Sequence, residues 1–175
     1  GLVDVDHLPL AVAPDEDAAL VVDAVVDAGR RDPAEHEGVA DDGRVALVAG
    51  GGGTFLGVPF GNKATNSFAS VLGGMGNTAG GTLAVAVGGF GNFATGAGAD
   101  VTGGTANQAA GSYSTVAGGQ DNWATAVYSV VPGGWRAMAR SYGQMAHANG
   151  EFSQRGDAQT STYLFHGTIS VPADT

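Results

Sequence analysis

The side chains that could carry out catalysis or bind a metal are few in this 175-residue chain. No two of the four histidines lie at metal-ligand spacing. Glu35, His36 and Glu37, followed by Asp41 and Asp42, could form a weak cation site or simply a solvated loop. There is no cysteine, no Ser-His-Asp arrangement and no pair of carboxylates in a recognisable context. We therefore predict no enzyme activity, no catalytic residue, no metal site and no cofactor.

A glycine motif that resembles a nucleotide-binding loop is better explained by a repeat. Residues 89–94 read GFGNFA, which fits GxGxxA. A dinucleotide site needs a strand before this motif, a helix after it and an acidic residue about twenty positions on. Here the glycines recur at a fixed period without a helical pattern, so we predict no nucleotide site.

Exposed aromatic side chains are the more informative candidates for binding. Phe93 and Trp123 occupy one position of the repeat, and Phe90 and Trp135 occupy another; we predict that both positions lie at corners, outside the core. Aromatic faces with neighbouring amides and acids can bind sugars, and packing of the rings between subunits is the alternative. The predicted ligand-binding residues are Phe90, Phe93, Trp123, Trp135, Gln120 and Asp121.

These residues belong to a repeat of fifteen residues that runs from Gly61 to Gly134. A fixed short period is typical of stacked repeat folds. Each copy has an asparagine, an alanine two positions later and a Gly-Gly pair eleven and twelve positions later. The asparagines are Asn62, Asn77, Asn92, Asn107 and Asn122.

The pattern within one copy predicts two short strands and two turns, and hence one coil of a parallel β-roll. Gly-Gly supplies one turn, and the asparagine with its neighbouring glycine supplies the other, with left-handed backbone tolerated at the asparagine. Stacked asparagine amides can bond to one another along the roll. Two positions of the repeat should point inward: the alanine position, and the position two residues before the Gly-Gly pair, which carries Val71, Ala86, Val101, Val116 and Val131.

A coil of fifteen residues encloses too little apolar surface to be stable alone. We therefore predict that copies of the chain cover each other as a homotrimer. The predicted trimer interface is one repeat position that carries Phe68, Leu83, Tyr113 and Tyr128. The predicted fold class is an all-β, homotrimeric, parallel left-handed β-roll (β-solenoid), with a small irregular and partly helical N-terminal region.

The flanks of the repeat give three predicted segments: an acidic N-terminal attachment region (1–53), the β-roll (54–150) and a C-terminal capping strand segment (151–175). Within the first segment we expect an extended arm (1–14), a short helix after Asp15-Glu16-Asp17, a polar loop (32–44), a strand from Val45 to Val48 and a glycine hinge (50–53). After Trp135 a sixth copy keeps only part of the repeat pattern. Residues 160–171 alternate polar and apolar side chains like a strand.

Charge and hydropathy exclude two classes of partner. The net charge is −10, and residues 1–50 carry most of the acidic side chains. A nucleic-acid surface needs clustered Lys and Arg, so we predict no nucleic-acid partner. No apolar run approaches the ~20 residues of a membrane helix, so we predict no membrane insertion.

The segment GSYSTVAGGQDNWATAVYSVVPGG resembles the head repeats of trimeric autotransporter adhesins and the β-roll repeats of phage tail and head fibres. The segment around GDAQ-S (residues 156–161) is similar to one that follows such repeats in phage tail-fibre proteins. The resemblance covers about half the chain and implies a trimeric fibre or spike on a virion surface. It would attach to a capsid or tail protein through residues 1–50 and meet host surface polysaccharide. The alternatives are a decoration protein in which the roll is a spacer, and a bacterial adhesin head on a cell surface.

Overall fold

The computed structural model describes residues 22–23, 36–38, 46–55 and 58–164. Within those ranges every regular element is a strand, and none is a helix. The strands are short because tight turns interrupt the chain every few residues. They are β1 (Val22–Asp23), β2 (His36–Gly38), β3 (Leu47–Val48), β4 (Thr54–Phe55), β5 (Val58–Pro59), β6 (Asn62–Ala64), β7 (Ser70–Val71), β8 (Thr78–Ala79), β9 (Val85–Ala86), β10 (Phe93–Ala94), β11 (Asp100–Val101), β12 (Gln108–Ala109), β13 (Thr115–Val116), β14 (Trp123–Ala124), β15 (Val130–Val131), β16 (Gly134–Trp135), β17 (Met138–Ala139), β18 (Met145–Asn149) and β19 (Gln159–Thr162).

Most of the strands stack into two parallel sheets, and the chain alternates between them; β4 and β5 form a separate antiparallel pair. Sheet A has the order β1-β3-β7-β9-β11-β13-β15-β18-β16, and sheet B has the order β17-β14-β12-β10-β8-β6-β2. In sheet B, Ala94 pairs with Ala79 on one side and Ala109 on the other. This is a parallel β-solenoid, so the predicted all-β roll architecture is confirmed.

Each coil has a third side that the two-strand prediction missed. A row of single-residue parallel bridges joins Met75, Phe90, Thr105, Gln120 and Trp135; we call this row the bridge row. Left-handed residues flank it, as Gly74 and Gly76 do around Met75. A third left-handed corner separates sheet B from sheet A. The coil therefore turns at three corners rather than two.

The core is narrow, and its buried apolar side chains in the described residues are all alanine or valine. The alanine position (Ala64 to Ala139) and the valine position (Val71 to Val131) are fully buried, as the sequence predicts. Glycine is required where coils approach most closely. A Cβ added at Gly104, whose φ is +86°, would meet backbone atoms of Gly119 in the next coil.

The buried asparagines link successive coils through the main chain. The backbone N–H of Asn107 donates to Oδ1 of Asn92 at 3.0 Å. Nδ2 of Asn92 donates to the carbonyls of Gly88 at 2.8 Å and Gly104 at 3.0 Å. The predicted column is present, but the amides bond to backbone rather than to one another. The prediction of left-handed backbone at asparagine is wrong, since the residue before it has the positive φ in the later coils (Gly91, φ 63°; Ala106, φ 55°).

Parts of the N-terminal region continue the solenoid. The helix prediction is wrong at Val22–Asp23, which is a strand paired with Leu47–Val48; the rest of that prediction, like the extended arm, lies outside the described residues. His36–Gly38 pairs in parallel with β6, so this part of the predicted polar loop is also a strand. A partly helical N-terminal region is therefore not seen where the structure describes it.

The glycine hinge is the first Gly-Gly pair of the array. Nδ2 of Asn62 donates to the carbonyl of Gly50 at 2.8 Å, as Nδ2 of Asn77 does to that of Gly73 at 2.9 Å. Gly51 abuts the backbone of Gly74, as each later second glycine abuts the next. The interpretation as a hinge is therefore wrong.

The C-terminal end of the roll is capped by a reversed strand. β19 pairs antiparallel with β18, and this confirms the start of the strand predicted from residue 160; residues 165–175 lie outside the described residues. The Gln159 side chain accepts from the N–H of Met138 at 2.8 Å and donates to its carbonyl at 2.9 Å. One side-chain amide thereby satisfies the outer edge of β17, where another strand would otherwise pair.

Candidate functional site

The bridge row carries three of the predicted ligand-binding residues. Phe90 is half-buried, whereas Gln120 and Trp135 are exposed. Phe90 also packs on Phe60, with ring centroids 5.7 Å apart. The row therefore presents an aromatic ring at its C-terminal end, next to a polar stretch formed by Thr105 and Gln120.

Phe93 and Trp123 lie on the outer face of sheet B. Their position was predicted to be a corner, and this is wrong, because both residues are in strands (β10 and β14). Gln108 separates them, since it pairs with Phe93 on one side and Trp123 on the other. The two predicted aromatic positions thus lie on two different sides of the coil.

The chain's own C-terminal segment contacts Trp123 and Asp121 and covers both. The Arg155 guanidinium lies 3.6 Å from the centroid of the Trp123 ring. Arg155 also forms an ion pair with the Asp121 carboxylate and donates to the Asp121 carbonyl at 3.0 Å. Arg136 donates to the same carboxylate at 3.1 Å and pairs with Glu151. Because these groups neutralise one another, this patch is a packed junction rather than an open pocket.

The loop that carries Arg155 is held by one carboxylate. Asp157 accepts hydrogen bonds from the N–H groups of Gln154, Phe152 and Ser153 at 2.7 to 2.9 Å. These bonds, that from Gln154 first, lower the pKa of the Asp157 carboxyl below its usual value. The loop therefore depends on a charged Asp157.

The predicted trimer-interface residues form the third left-handed corner of each coil, which we call the corner column. Phe68, Leu83, Tyr113 and Tyr128 have φ values between 56° and 61°, and Gly98 and Gly143 occupy the same position in the other coils. Bulky residues rarely adopt this conformation, and it costs roughly 1–2 kcal/mol for a residue other than glycine. The four side chains are also about half exposed (49–57%). The chain thus holds large apolar groups outward at a position where glycine would be relaxed.

Two tyrosines of this column and the neighbouring Tyr142 form an aromatic ladder. The rings of Tyr113 and Tyr128 stack with centroids 5.3 Å apart and an interplanar angle of 11°. Tyr142, which is 74% exposed, contacts Tyr128 edge-on at 5.6 Å. Tyrosine is a residue type that is enriched at protein interfaces.

The structure also bears on the predictions for a nucleotide site, a metal site and a membrane helix. The motif glycines Gly89 and Gly91 are left-handed corner residues beside the bridge row. In the described part of the chain, no group of three or more His, Cys, Asp or Glu side chains could hold a metal ion. No helix in that part is long and apolar enough to cross a membrane.

Sequence reasoning missed two features of these sites. The left-handed corner column had a signal: glycine alternates with large apolar residues at one repeat position (Gly98 and Gly143), which indicates positive φ. The contact of Arg155 with Trp123 had none, because the C-terminal segment leaves the repeat register and its docking depends on tertiary structure.

A comparison of the chain with protein-family models, with curated proteins and with solved structures finds no match.

Proposed function

We propose that this chain is the subunit of a trimeric structural and adhesive fibre or spike of a phage-like particle. Its coils of fifteen residues wind left-handed, three chains associate through the corner column, and residues 1–50 attach to a capsid or tail protein. The roll meets host surface glycan through its exposed aromatic residues. Three weak sites on one rigid body raise the avidity without any single strong site.

The corner column is the observation that carries this proposal. It places four large apolar side chains on the surface in a strained backbone conformation. Strain of this kind persists where the side chain has a function, and a row of exposed apolar groups marks an interaction surface. Because the row runs along the roll, the surface that fits it best is another roll of the same length, that is, a second copy of the chain.

A pair of substitutions tests the column. Leu83→Gly and Tyr128→Gly remove the apolar side chain and relieve the strained backbone, so each coil should fold while association weakens. Light scattering should report a shift from trimer to smaller species, and circular dichroism should keep its β signal. Thr105→Gly, at an exposed position of the bridge row, is the control. Trimers that survive both corner substitutions would contradict the proposal.

Glycan binding is supported by the exposed Trp135 and Phe93, with Gln108 and Gln120 close by as hydrogen-bonding groups. A glycan array probed with the isolated protein tests it. Trp135→Ala should abolish the binding of any positive glycan while the trimer stays intact. If the trimer dissociates instead, Trp135 packs between subunits and the glycan proposal fails for this residue.

A second candidate function, a decoration protein in which the roll is a spacer, is favoured by one observation. Two of the six predicted ligand residues, Trp123 and Asp121, are covered by Arg155. An array with no positive glycan, together with binding of residues 1–50 to a shell protein, would favour this alternative.

A further inference from the structure

The outer face of sheet B, between β6 and β17, carries cations and no acidic side chain. Two rows of side chains point outward there, because side chains along a strand alternate between the core and the surface. The acidic residues of the middle coils lie elsewhere, with Asp100 on sheet A and Asp121 at a corner beside the bridge row. We call this surface the B face; its two rows are Lys63, Thr78, Phe93, Gln108, Trp123 and Met138, and Thr65, Gly80, Thr95, Ala110, Thr125 and Arg140.

The two cations of the B face, Lys63 and Arg140, have different neighbours. Glu37 of β2 lies beside Lys63 in the register of sheet B. Arg140 is exposed and forms no ion pair with any residue that the structure describes. Arg136 and Arg155, by contrast, are both in ion pairs. Arg140 is therefore the arginine of the roll whose charge the described chain leaves without a counterion.

Two uncharged acceptors hold the Arg140 guanidinium in place. Nε donates to Sδ of Met138 at 2.9 Å, and Nη2 donates to the carbonyl of Arg155 at 3.1 Å. The segment that covers Trp123 thus also positions this cation. A guanidinium has five N–H donors, so its Nη1 end keeps donors that no described residue satisfies. That end can bind a carboxylate through two parallel hydrogen bonds.

Phe93 and Gln108 make the same face suitable for sugar rings. Phe93 is 44% exposed, and an exposed aromatic ring offers an apolar surface to a ligand. Gln108 pairs with Phe93 in the next coil, and its amide can both donate to and accept from hydroxyl groups. The coil of Arg140 is three coils from that of Phe93, or about 14 Å at the spacing of paired strands. This span fits several linked sugars rather than a single one.

We propose that the B face binds an acidic polysaccharide, with a sugar ring on Phe93 and a uronate carboxylate on Arg140. This inference rests on the proposed glycan function and names the class of glycan that the roll takes. Charge complementarity carries it. An anionic chain along this face meets an unpaired guanidinium and no acidic side chain between β6 and β17, whereas a neutral glycan would leave the charge of Arg140 uncompensated.

Paired glycans test the role of the carboxylate. The probe is an array of bacterial surface polysaccharides in which each uronate-containing glycan stands beside its carboxyl-reduced form. The native protein should bind the uronate form about tenfold or more tightly, as expected for hydrogen bonds to a charged group. Arg140→Gln should remove this preference, and Arg140→Lys, which loses the planar fork, should keep part of it. Phe93→Ala should weaken the binding of both forms. Lys63→Gln, which removes the other cation of the face, is the matched control and should have little effect.

The results distinguish the class of glycan from glycan binding itself. A native protein that binds no glycan contradicts the proposed glycan function and the acidic class together. Binding without preference for the uronate form, or a preference that survives Arg140→Gln in a protein with its β signal intact, overturns the acidic class alone. A loss from Lys63→Gln as large as that from Arg140→Gln would show a general attraction of charges rather than a site at Arg140, and would overturn it as well.

Discussion

The middle coils and the C-terminal end of the roll are held together in different ways. Between Gly73 and Gly119 the coils are joined by strand pairing and by asparagine side chains that bond to backbone of the adjacent coils. After Asp121 the contacts between side chains become specific: Arg155 with Trp123, Arg136 with Glu151, and Gln144 with Ser161 at 2.8 Å. The middle is thus built from one interchangeable unit, whereas the end is built from contacts that occur once.

This difference follows from what each region must do. A middle coil has an identical neighbour on both sides, so one set of bonds satisfies every coil. The last coil has no following coil, and its open strand edges must be covered by other means. Gln159 and β19 supply that cover. The comparison predicts that damage to a middle coil affects the whole roll, while damage to the cap stays local.

The largest effect is expected from breaking the asparagine column. Asn92→Ala removes two donors to carbonyls and the acceptor for the N–H of Asn107, all at a fully buried position. The free energy of unfolding should fall by about 3–5 kcal/mol, because the N–H of Asn107 and the carbonyl of Gly88 lose their partners and the carbonyl of Gly104 keeps only the N–H of Phe90. Urea unfolding measures this, with the exposed Thr105→Ala as control. A loss below about 1 kcal/mol would mean that strand pairing alone holds the middle.

The cap should respond less and only locally. Gln159→Ala removes both hydrogen bonds to Met138 and should destabilise the last coil by about 1–2 kcal/mol. Hydrogen exchange should speed up at residues 138–149 and stay unchanged around Asn92. Gln154→Ala, in the same loop but bonded through its main chain, is the control. Faster exchange throughout the roll would show that the cap and the middle are not separate units.

Substitution of Arg155 tests whether this side chain shields the Trp123 ring from water. Arg155→Ala removes the guanidinium from the ring and from Asp121, with an expected loss of about 1–2 kcal/mol. In a Trp135→Phe background, Trp123 is the only tryptophan, and its emission should shift to longer wavelength as water reaches the ring. Arg155→Lys should shift it less. Unchanged emission would mean that Trp123 is not covered by this residue.

The smallest effect concerns pH. The pKa of Asp157 is lowered in the folded chain, so its stabilisation of the loop is present above the unfolded value of about 3.9 and is lost as the pH falls through the lower folded pKa. The amides of Phe152, Ser153 and Gln154 should therefore exchange faster as the pH falls through the lowered pKa of the Asp157 carboxyl. Asp157→Asn should remove this step. A loop whose amides behave alike in both proteins would contradict the anchoring role.

Sequence periodicity predicted the repeated part of the fold well and the unrepeated part poorly. The inward alanines and valines and the Gly-Gly corner followed from the repeat, because each position recurs in a common environment. The asparagine position was found, but its bonding was not, since spacing does not distinguish amide pairing from bonding to backbone. Val22–Asp23 was predicted as part of a helix because local signals favour one there, and pairing with β3 overrode them.

For the candidate sites, as for the fold, the features that belong to the repeat could be predicted and those outside it could not. The corner column was predicted to be an interface from its residue types, and its left-handed backbone came only from the structure. Trp123 was a reasonable ligand residue from its repeat position. Its cover by Arg155 depends on a segment outside the repeat, which no periodic pattern describes.

The proposed function depends most on the association of chains through the corner column, and sedimentation equilibrium of the native protein tests this association most directly. We predict a single species of three times the 17.2 kDa chain mass that keeps this mass on dilution until it unfolds. A folded species of one chain mass, with the β signal of the roll intact, would contradict the proposed trimer.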